Sequence, residues 1–301
     1  MLKNEFRKEI RKTLKGSVTP IDSIPPFESN ARQLWVIDDT TGRIAHQVRA
    51  SIRNRIIKKS DNYQEILALM RDKEADKKET AKLIDKAIKD LGYTEVMITA
   101  LRDEELATNY TYQALTIAKV EAEKLLKISL ENMPIWNNYL EKVTGVGVLT
   151  ASKLLYEVGD VTRFSQPSKL TKYCGLAVDP DGSPQRQHRG QTCDYKPSLK
   201  ALLLGVIGDN FIKSCSEYRR IYDERRKYTS KYRPEWGVHP HGKKKEYLAH
   251  YHADATRCMV KRFLIEFWKA GWYASDLEPP TKPYAVNILG HDEEPDIVPY
   301  G

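Results

Sequence analysis

Val143-Thr144-Gly145-Val146-Gly147-Val148-Leu149-Thr150-Ala151-Ser152-Lys153-Leu154-Leu155 is the stretch on which the reading of this fold depends. A Gly-x-Gly turn stands between two apolar segments, so the chain reads as a helix, a tight turn and a second helix. Glycine reaches backbone conformations closed to other residues, and a helix that starts at a glycine exposes its first amides. Such a helix-hairpin-helix can bring backbone N–H groups up to a phosphate, engaging nucleic acid by its backbone and not by its base sequence. The same residues also suit a plain interhelical turn, and the surrounding chain has to choose between the two.

The charge favours a polyanion. Forty-nine Lys and Arg stand against forty-one Asp and Glu, a formal charge of +8 in 301 residues. Residues 200 to 270 hold sixteen basic and eight acidic residues, so this one region accounts for the whole excess. Its centre is Tyr218-Arg219-Arg220-Ile221-Tyr222-Asp223-Glu224-Arg225-Arg226-Lys227-Tyr228, followed by Lys243-Lys244-Lys245 and Lys261-Arg262. On a helix, Tyr218, Ile221 and Tyr222 pack one face while Arg219, Arg220, Arg226 and Lys227 project to phosphates. A merely solvated charged helix is the other reading. The longest apolar run, Ala201 to Gly208, is too short to cross a bilayer, which excludes a membrane-spanning role. Leu2, Phe6, Ile10 and Leu14 recur among basic residues as a short amphipathic helix and not as a signal peptide, so an intracellular, cytoplasmic protein is expected. Cys174, Cys193, Cys215 and Cys258 are too scattered for a disulfide framework or a zinc ribbon.

Working outward, the expected architecture is mainly α. Residues 1–30 form a basic helix and a Pro-rich linker. Residues 31–94 form a small hairpin and helical region: Leu34 to Ile37 and Arg43 to Val48 flank Asp38-Asp39-Thr40-Thr41-Gly42, which predicts one N-terminal β-hairpin, and Tyr63 to Leu91 predicts helices separated near Asp72 to Asp76. Residues 95–134 contain a long coiled-coil-like helix with Leu115, Ala118, Ala122, Leu125 and Ile128 in one stripe, suited to pairing with a second copy. Residues 135–273 form the helix-hairpin-helix domain. Residues 274–301 form an acidic, Pro-rich tail expected to pack poorly.

Beyond the hairpin, Gly159-Asp160-Val161-Thr162-Arg163-Phe164 is followed by Leu170-Thr171-Lys172-Tyr173-Cys174-Gly175-Leu176-Ala177. The succession of a Gly-Val-Gly hairpin, a Gly-Asp-aromatic turn and a Tyr-x-Gly-Leu turn resembles the C-terminal domain of the insertion-sequence 110/116/902 transposases. In that family a RuvC-like DEDD nuclease domain occupies the N-terminal half, and a bridge RNA guides the enzyme. The likeness runs from about Leu115 to Trp272, and includes Leu199-Lys200-Ala201-Leu202-Leu203 and His250-Tyr251-His252 before Arg257, Lys261 and Arg262. It implies a nucleophilic serine about eight residues after Gly175-Leu176, which falls on Ser183, ahead of Arg189-Gly190. The chain departs from the family in two places. Gly182-Ser183-Pro184 stands where members tend to carry serine followed by glycine, and the first hundred residues lack the spaced carboxylates and sheet of a DEDD nuclease.

The resulting expectation is a DNA-binding protein related to these transposases. Gly145, Gly147 and Lys153 serve at the hairpin, with Arg186, Arg189, Arg219, Arg220, Arg225, Arg226, Lys227, Lys243, Lys244 and Lys245 on phosphates. DNA is the expected partner, a guide or structured RNA a further one that the family implies, and a homo-oligomer forms through the long helix. No cofactor is required. Two alternatives stand beside it. One is a serine transposase or recombinase subunit in which Ser183 attacks a phosphodiester with Arg186, His188 and Arg189 stabilising the charge, magnesium entering only with a partner nuclease domain. The other is a DNA-coating structural protein of a virus or mobile element. His239, His241, His250, His252 and Cys258 could in principle ligate zinc, but their spacing fits no metal motif, and no metal is expected.

Overall fold

Phe27–Ile57 forms one continuous helix, α1, where the sequence predicts a linker end and a hairpin. The hairpin expectation is corrected: no strand occurs over Leu34 to Val48. Ile37, Ile44, Val48, Ile52 and Ile56 recur at helical spacing, and the turn-forming cluster between them is absorbed by local bonds. Thr40 Oγ1 donates to the Val36 carbonyl at 2.6 Å, Thr41 Oγ1 to that of Ile37 at 2.5 Å, and Asp39 pairs with Arg43 one turn on. A side chain that bonds within the helix no longer competes to end it.

The computed structural model describes residues 27–72, 74–178, 183–187, 190, 192–238, 248–283, 286, 290 and 295–301. The expected basic N-terminal helix through Leu2, Phe6, Ile10 and Leu14 lies outside them, as do Arg189 and Lys243 to Lys245. Two compact units share the chain. Arg32–Leu125 form the first, and Leu126–Gly301, with the short piece up to Ala31, form the second.

In the first unit α2 (Tyr63–Arg71) and α3 (Lys77–Asp90) follow α1. Asp76 caps α3, accepting from the Lys78 amide at 2.8 Å. Then comes α4 (Glu95–Thr108), capped by Thr94. The predicted single helix over 95–131 is broken at Asn109: its Oδ1 accepts from the Tyr112 amide at 2.9 Å and starts α5 (Tyr110–Glu131) afresh. Asparagine does this because its short amide replaces a backbone acceptor. Of the predicted stripe, Ala122 is buried, Leu115, Leu125 and Ile128 are half-buried and Ala118 is exposed. The first unit's core is aliphatic: Ile52, Ile56, Ile57, Ile66, Ala87, Ile88 and Ile98.

The second unit is built on α12 (Ala249–Tyr273), which drives Met259, Val260, Phe263, Leu264, Phe267 and Trp268 fully into the core. Each large side chain so buried contributes roughly 1.5–3 kcal/mol. Around it lie α6 (Pro134–Asn138), α7 (Val148–Val158), α8 (Pro167–Tyr173) and α11 (Arg219–Tyr232). One further rod joins α9 (Pro197–Ala201), a π-helical stretch Leu202–Ile207 and α10 (Gly208–Lys213). The expectation of a loosely packed tail is corrected at its end. Buried Glu266 accepts from the Ile297 amide at 2.9 Å and the Val298 amide at 3.3 Å, while Arg262 Nε donates to it at 2.8 Å. A buried carboxylate needs such donors, and satisfying it draws Val298 into the core. Tyr218 also bonds Glu266 and meets Tyr139 hydroxyl to hydroxyl at 2.9 Å, and burial pushes both phenols well above their ordinary range. Among the described residues no helix is long and apolar enough to cross a membrane.

Candidate nucleic-acid interface

Three turns of the second unit carry the motif. In the first, buried Val143 and Val146 anchor the chain, and the Val146 amide donates to the Val143 carbonyl at 3.1 Å. Gly145 between them has φ +97°, and its carbonyl accepts from Asn210 Nδ2 at 3.1 Å. A Cβ there would stand 3.0 Å from Ser214 Oγ and 3.2 Å from the Phe211 ring. Both conformation and space therefore demand glycine. Gly147 is different: its backbone is extended, with φ −96° and ψ 176°, and a Cβ would meet nothing within 4 Å. It is exposed and caps α7 without a side chain, so the first amides of α7 face a shallow hollow lined by Gly145, Val146, Gly147, Asn210, Lys213 and Ser214. Around that hollow Lys213 pairs with Asp209 at 2.9 Å, and Thr144 Oγ1 donates to Glu217 at 2.7 Å. The bond from Lys213 holds the Asp209 carboxyl below its usual range.

In the second turn Asp160 accepts from the Thr162 amide at 2.8 Å, starting a short 3-10 turn that delivers Phe164 to the core. Arg163 lies over the Phe164 and Tyr173 rings at 4.5 and 4.6 Å, and Trp268 Nε1 donates to the Phe164 carbonyl at 2.6 Å. The third turn closes α8. Gly175, at φ +71°, donates to Lys172 at 2.9 Å, and Leu176 reaches back to Thr171 at 3.0 Å, the paired bonds of a Schellman cap. Burial pushes the Cys174 thiol beside it up to about 12, against the nearby Arg163 charge. All three turns are scaffold; Gly147 and Gly159 have open space beside them, and of the two only Gly147 has the extended backbone that any residue adopts.

Residues 137–217 match the family model of the transposase IS116/IS110/IS902 family. The resemblance read from the three turns is thereby shown for this domain, with consistency to a C-terminal domain of that family. The match covers about a quarter of the chain and stops short of the Leu115 to Trp272 span read from the sequence. Comparison with curated proteins and with solved structures finds no match.

Within the transposase-family domain, Ser183 is half-buried. Next to it Pro184 forms an antiparallel bridge with Val178. Buried Gln185 completes the clamp: its amide donates to the Ala177 carbonyl at 3.3 Å, its Oε1 accepts from the Ala177 amide at 3.2 Å, and Lys200 Nζ bonds its carbonyl. Proline suits this position because the bridge needs no amide from it. Arg186 follows, exposed.

The basic residues of α11 divide by partner. Arg219 is spent locally, donating to the Ile212 carbonyl at 2.6 Å and pairing with Asp223. Arg220 pairs with Glu224 at 2.9 Å, and Arg225 with Asp254 of α12 at 2.6 Å. Among the described residues Arg226 and Lys227 have no ionic partner. Tyr218 and Tyr222 are buried, as their helical phase predicts. Lys153 is half-buried on α7.

Sequence reasoning passed over Asn210, Lys213, Arg257 and Lys261 as site residues. Asn210 and Lys213 reach the Gly145 turn only through tertiary packing. Arg257 and Lys261 were readable: two cations four residues apart on an otherwise apolar helix lie on one face. Both are half-buried on α12. Burial pulls the Arg257 guanidinium below its usual range, with the Arg186 charge adding to it against Asp254. Lys261 is pulled down in the same way, with Arg257 as the next cause. The described residues contain no cluster of metal-ligating side chains; His239 and His241 lie outside them.

Proposed function

We propose that this is a DNA-binding protein of transposase kind, gripping the duplex backbone through a helix-hairpin-helix over Val143 to Leu155 and a basic surface on α11. The observation that carries the reading is the asymmetry of Gly145 and Gly147. Gly145 is glycine for its own fold, whereas Gly147 has room for a side chain and bears none, at the amide-rich start of α7. A bare helix start admits a phosphate closely. Arg226 and Lys227 add charge that no carboxylate of the described chain neutralises. The reading requires no cofactor, and a guide or structured RNA and a second copy of the chain are partners it accommodates.

The test is Gly147→Asp. An aspartate at an N-cap is at least as good as glycine for the helix, so thermal stability should hold or rise by a few tenths of a kcal/mol. The same carboxylate repels a phosphate, and duplex affinity measured by gel shift should fall about tenfold, the size of one lost charge-assisted contact. Unchanged affinity would remove the hairpin from the interface.

A second reading, strand cleavage by Ser183, draws support from its neighbours: Pro184 and Gln185 are bonded to Val178 and Ala177, so a half-buried serine beside them is held as a nucleophile needs to be. Ser183→Ala should then abolish a covalent serine–DNA adduct and spare binding. The stand-alone binder predicts no adduct in either protein.

A further inference from the structure

Tyr228 and Tyr232 stand one turn apart on α11 with ring centroids 4.6 Å apart, and each is more than half exposed, at 53% and 56%. Neither ring contributes to the core, although the remaining tyrosines of this helix, Tyr218 beside its start and Tyr222, are buried. Each exposed ring carries a cation: the Arg225 guanidinium lies 5.3 Å from the Tyr228 centroid, and Lys231 Nζ lies 5.1 Å from that of Tyr232. Arg225 in turn reaches Asp254 at 2.6 Å, and Asp254 shares one face of α12 with Arg257 and Lys261, three and seven residues on. A track therefore runs from two adjacent, tilted aromatic rings through Arg225 to the face of α12 that carries Asp254, Arg257 and Lys261.

Half-burying like charges beside one another is unfavourable unless an anion joins them. Burial lowers the affinity of Arg257 and Lys261 for their protons, and a neighbouring cation, Arg186 for the first and Arg257 for the second, adds to it. Exposed aromatic rings next to three cations that share one carboxylate match the two halves of a nucleotide, a flat base and a phosphate. Bases inside a duplex are stacked on their own neighbours and offer no face to such rings.

We infer that this surface takes single-stranded nucleic acid, unpaired bases lying on Tyr228 and Tyr232 and the adjoining phosphates meeting Arg225, Arg257 and Lys261. The inference rests on the reading of the domain as a nucleic-acid binder and goes beyond it by separating an unpaired-strand site from the duplex-binding hairpin. The phosphate chemistry is common to DNA and RNA, so thymidine and uridine oligomers serve as parallel probes.

The experiment uses the full chain and anisotropy of labelled 12-mers of oligothymidine and oligouridine, with a 12-base-pair duplex beside them. Tyr228→Ala with Tyr232→Ala should weaken single-strand binding about tenfold to a hundredfold, the range for loss of base stacking. Duplex affinity should change by less than about twofold, since backbone contacts position the duplex without those rings. Tyr228→Phe with Tyr232→Phe should keep single-strand binding. Both rings are exposed, so circular dichroism of the alanine variant should match the parent. Arg257→Gln with Lys261→Gln should weaken the 12-mers and flatten their salt dependence. Tyrosine-dependent binding of either oligomer supports the inference, and the tighter of the two names its source. Unchanged oligomer binding in the alanine variant, or an equal loss of oligomer and duplex, overturns it. A parent that binds the duplex but neither oligomer defeats this inference alone, whereas one that binds no nucleic acid defeats the proposed function as well.

Discussion

The arginines at the centre of the first unit's long helix and a group of cations on two helices of the second differ in their partners. In the first, Arg49, Arg53 and Arg55 pair with Glu95, Asp85 and Glu105, and Lys119 pairs with Asp38, so these four cations are neutralised where they stand. In the second, Arg226, Lys227, Arg257 and Lys261 have no ion-pair partner among the described residues. The cores differ in parallel. Aliphatic residues, largely isoleucine, fill the first. The second interlocks Tyr139, Phe211, Tyr218, Phe263 and Phe267 around the buried Glu266 network, with Phe211 and Phe263 edge to face at 5.3 Å. A rigid aromatic core holds surface groups in fixed places, and uncompensated cations on such a core supply what an external polyanion needs. The proposed nucleic-acid surface lies wholly on the second unit, and the contrast is what the reading rests on.

The largest effect that could break this contrast is the salt response. If about six phosphates are neutralised, duplex affinity should drop about a thousandfold between 50 and 200 mM salt. Arg226→Ala with Lys227→Ala should reduce the slope by about two, roughly 0.9 per lost contact, whereas Arg49→Ala with Arg55→Ala in the first unit should leave it alone. Equal effects from both pairs would erase the distinction. Next in size, Glu266→Gln should cost about 3 kcal/mol in urea unfolding, because Arg262 then loses its buried counter-charge. A loss below about 1 kcal/mol would mean the network does not brace the core. Gly145→Ala should cost about 1–3 kcal/mol from its left-handed backbone and its tight approach to Ser214 and Phe211. The smallest change is expected for Arg53→Gln: its carboxylate partners are mostly solvent-exposed, so a cost of about 1 kcal/mol or less should appear in the same unfolding assay.

Much of the second unit was legible from local chemistry. Gly145, Gly175 and Asp160 are read correctly as turn residues because each acts within a few positions of itself, through a positive φ, a helix cap or an Asx bond. The helix phase of Tyr218 and Tyr222 follows from the 3.6-residue period alone. The first unit misleads at Asp38 to Gly42, where five turn-forming residues sit inside α1. Threonine hydroxyls and an Asp39–Arg43 pair satisfy them locally, and the apolar period on either side outweighs them. Asn109 misleads in the other sense, since one side chain that can imitate a backbone acceptor divides a helix whose composition gives no sign of a break.

The sequence alone therefore determined that the protein is mainly helical, that its positive charge is concentrated in residues 200 to 270, and that its Gly-Val-Gly, Gly-Asp and Tyr-x-Gly-Leu turns occur in the order of a transposase domain. Each of these depends on neighbours along the chain. Tertiary structure decided which of those residues are used up and which are left. Arg219 is consumed by the Ile212 carbonyl and Arg220 by Glu224, while Arg226 and Lys227 are spared, although all four look alike in sequence. It likewise brought Asn210 to Gly145 across sixty-five residues, and drew the chain end onto Glu266. A charge or a donor acquires its role from the partner that packing places beside it, and packing joins residues whose separation along the chain carries no local signal.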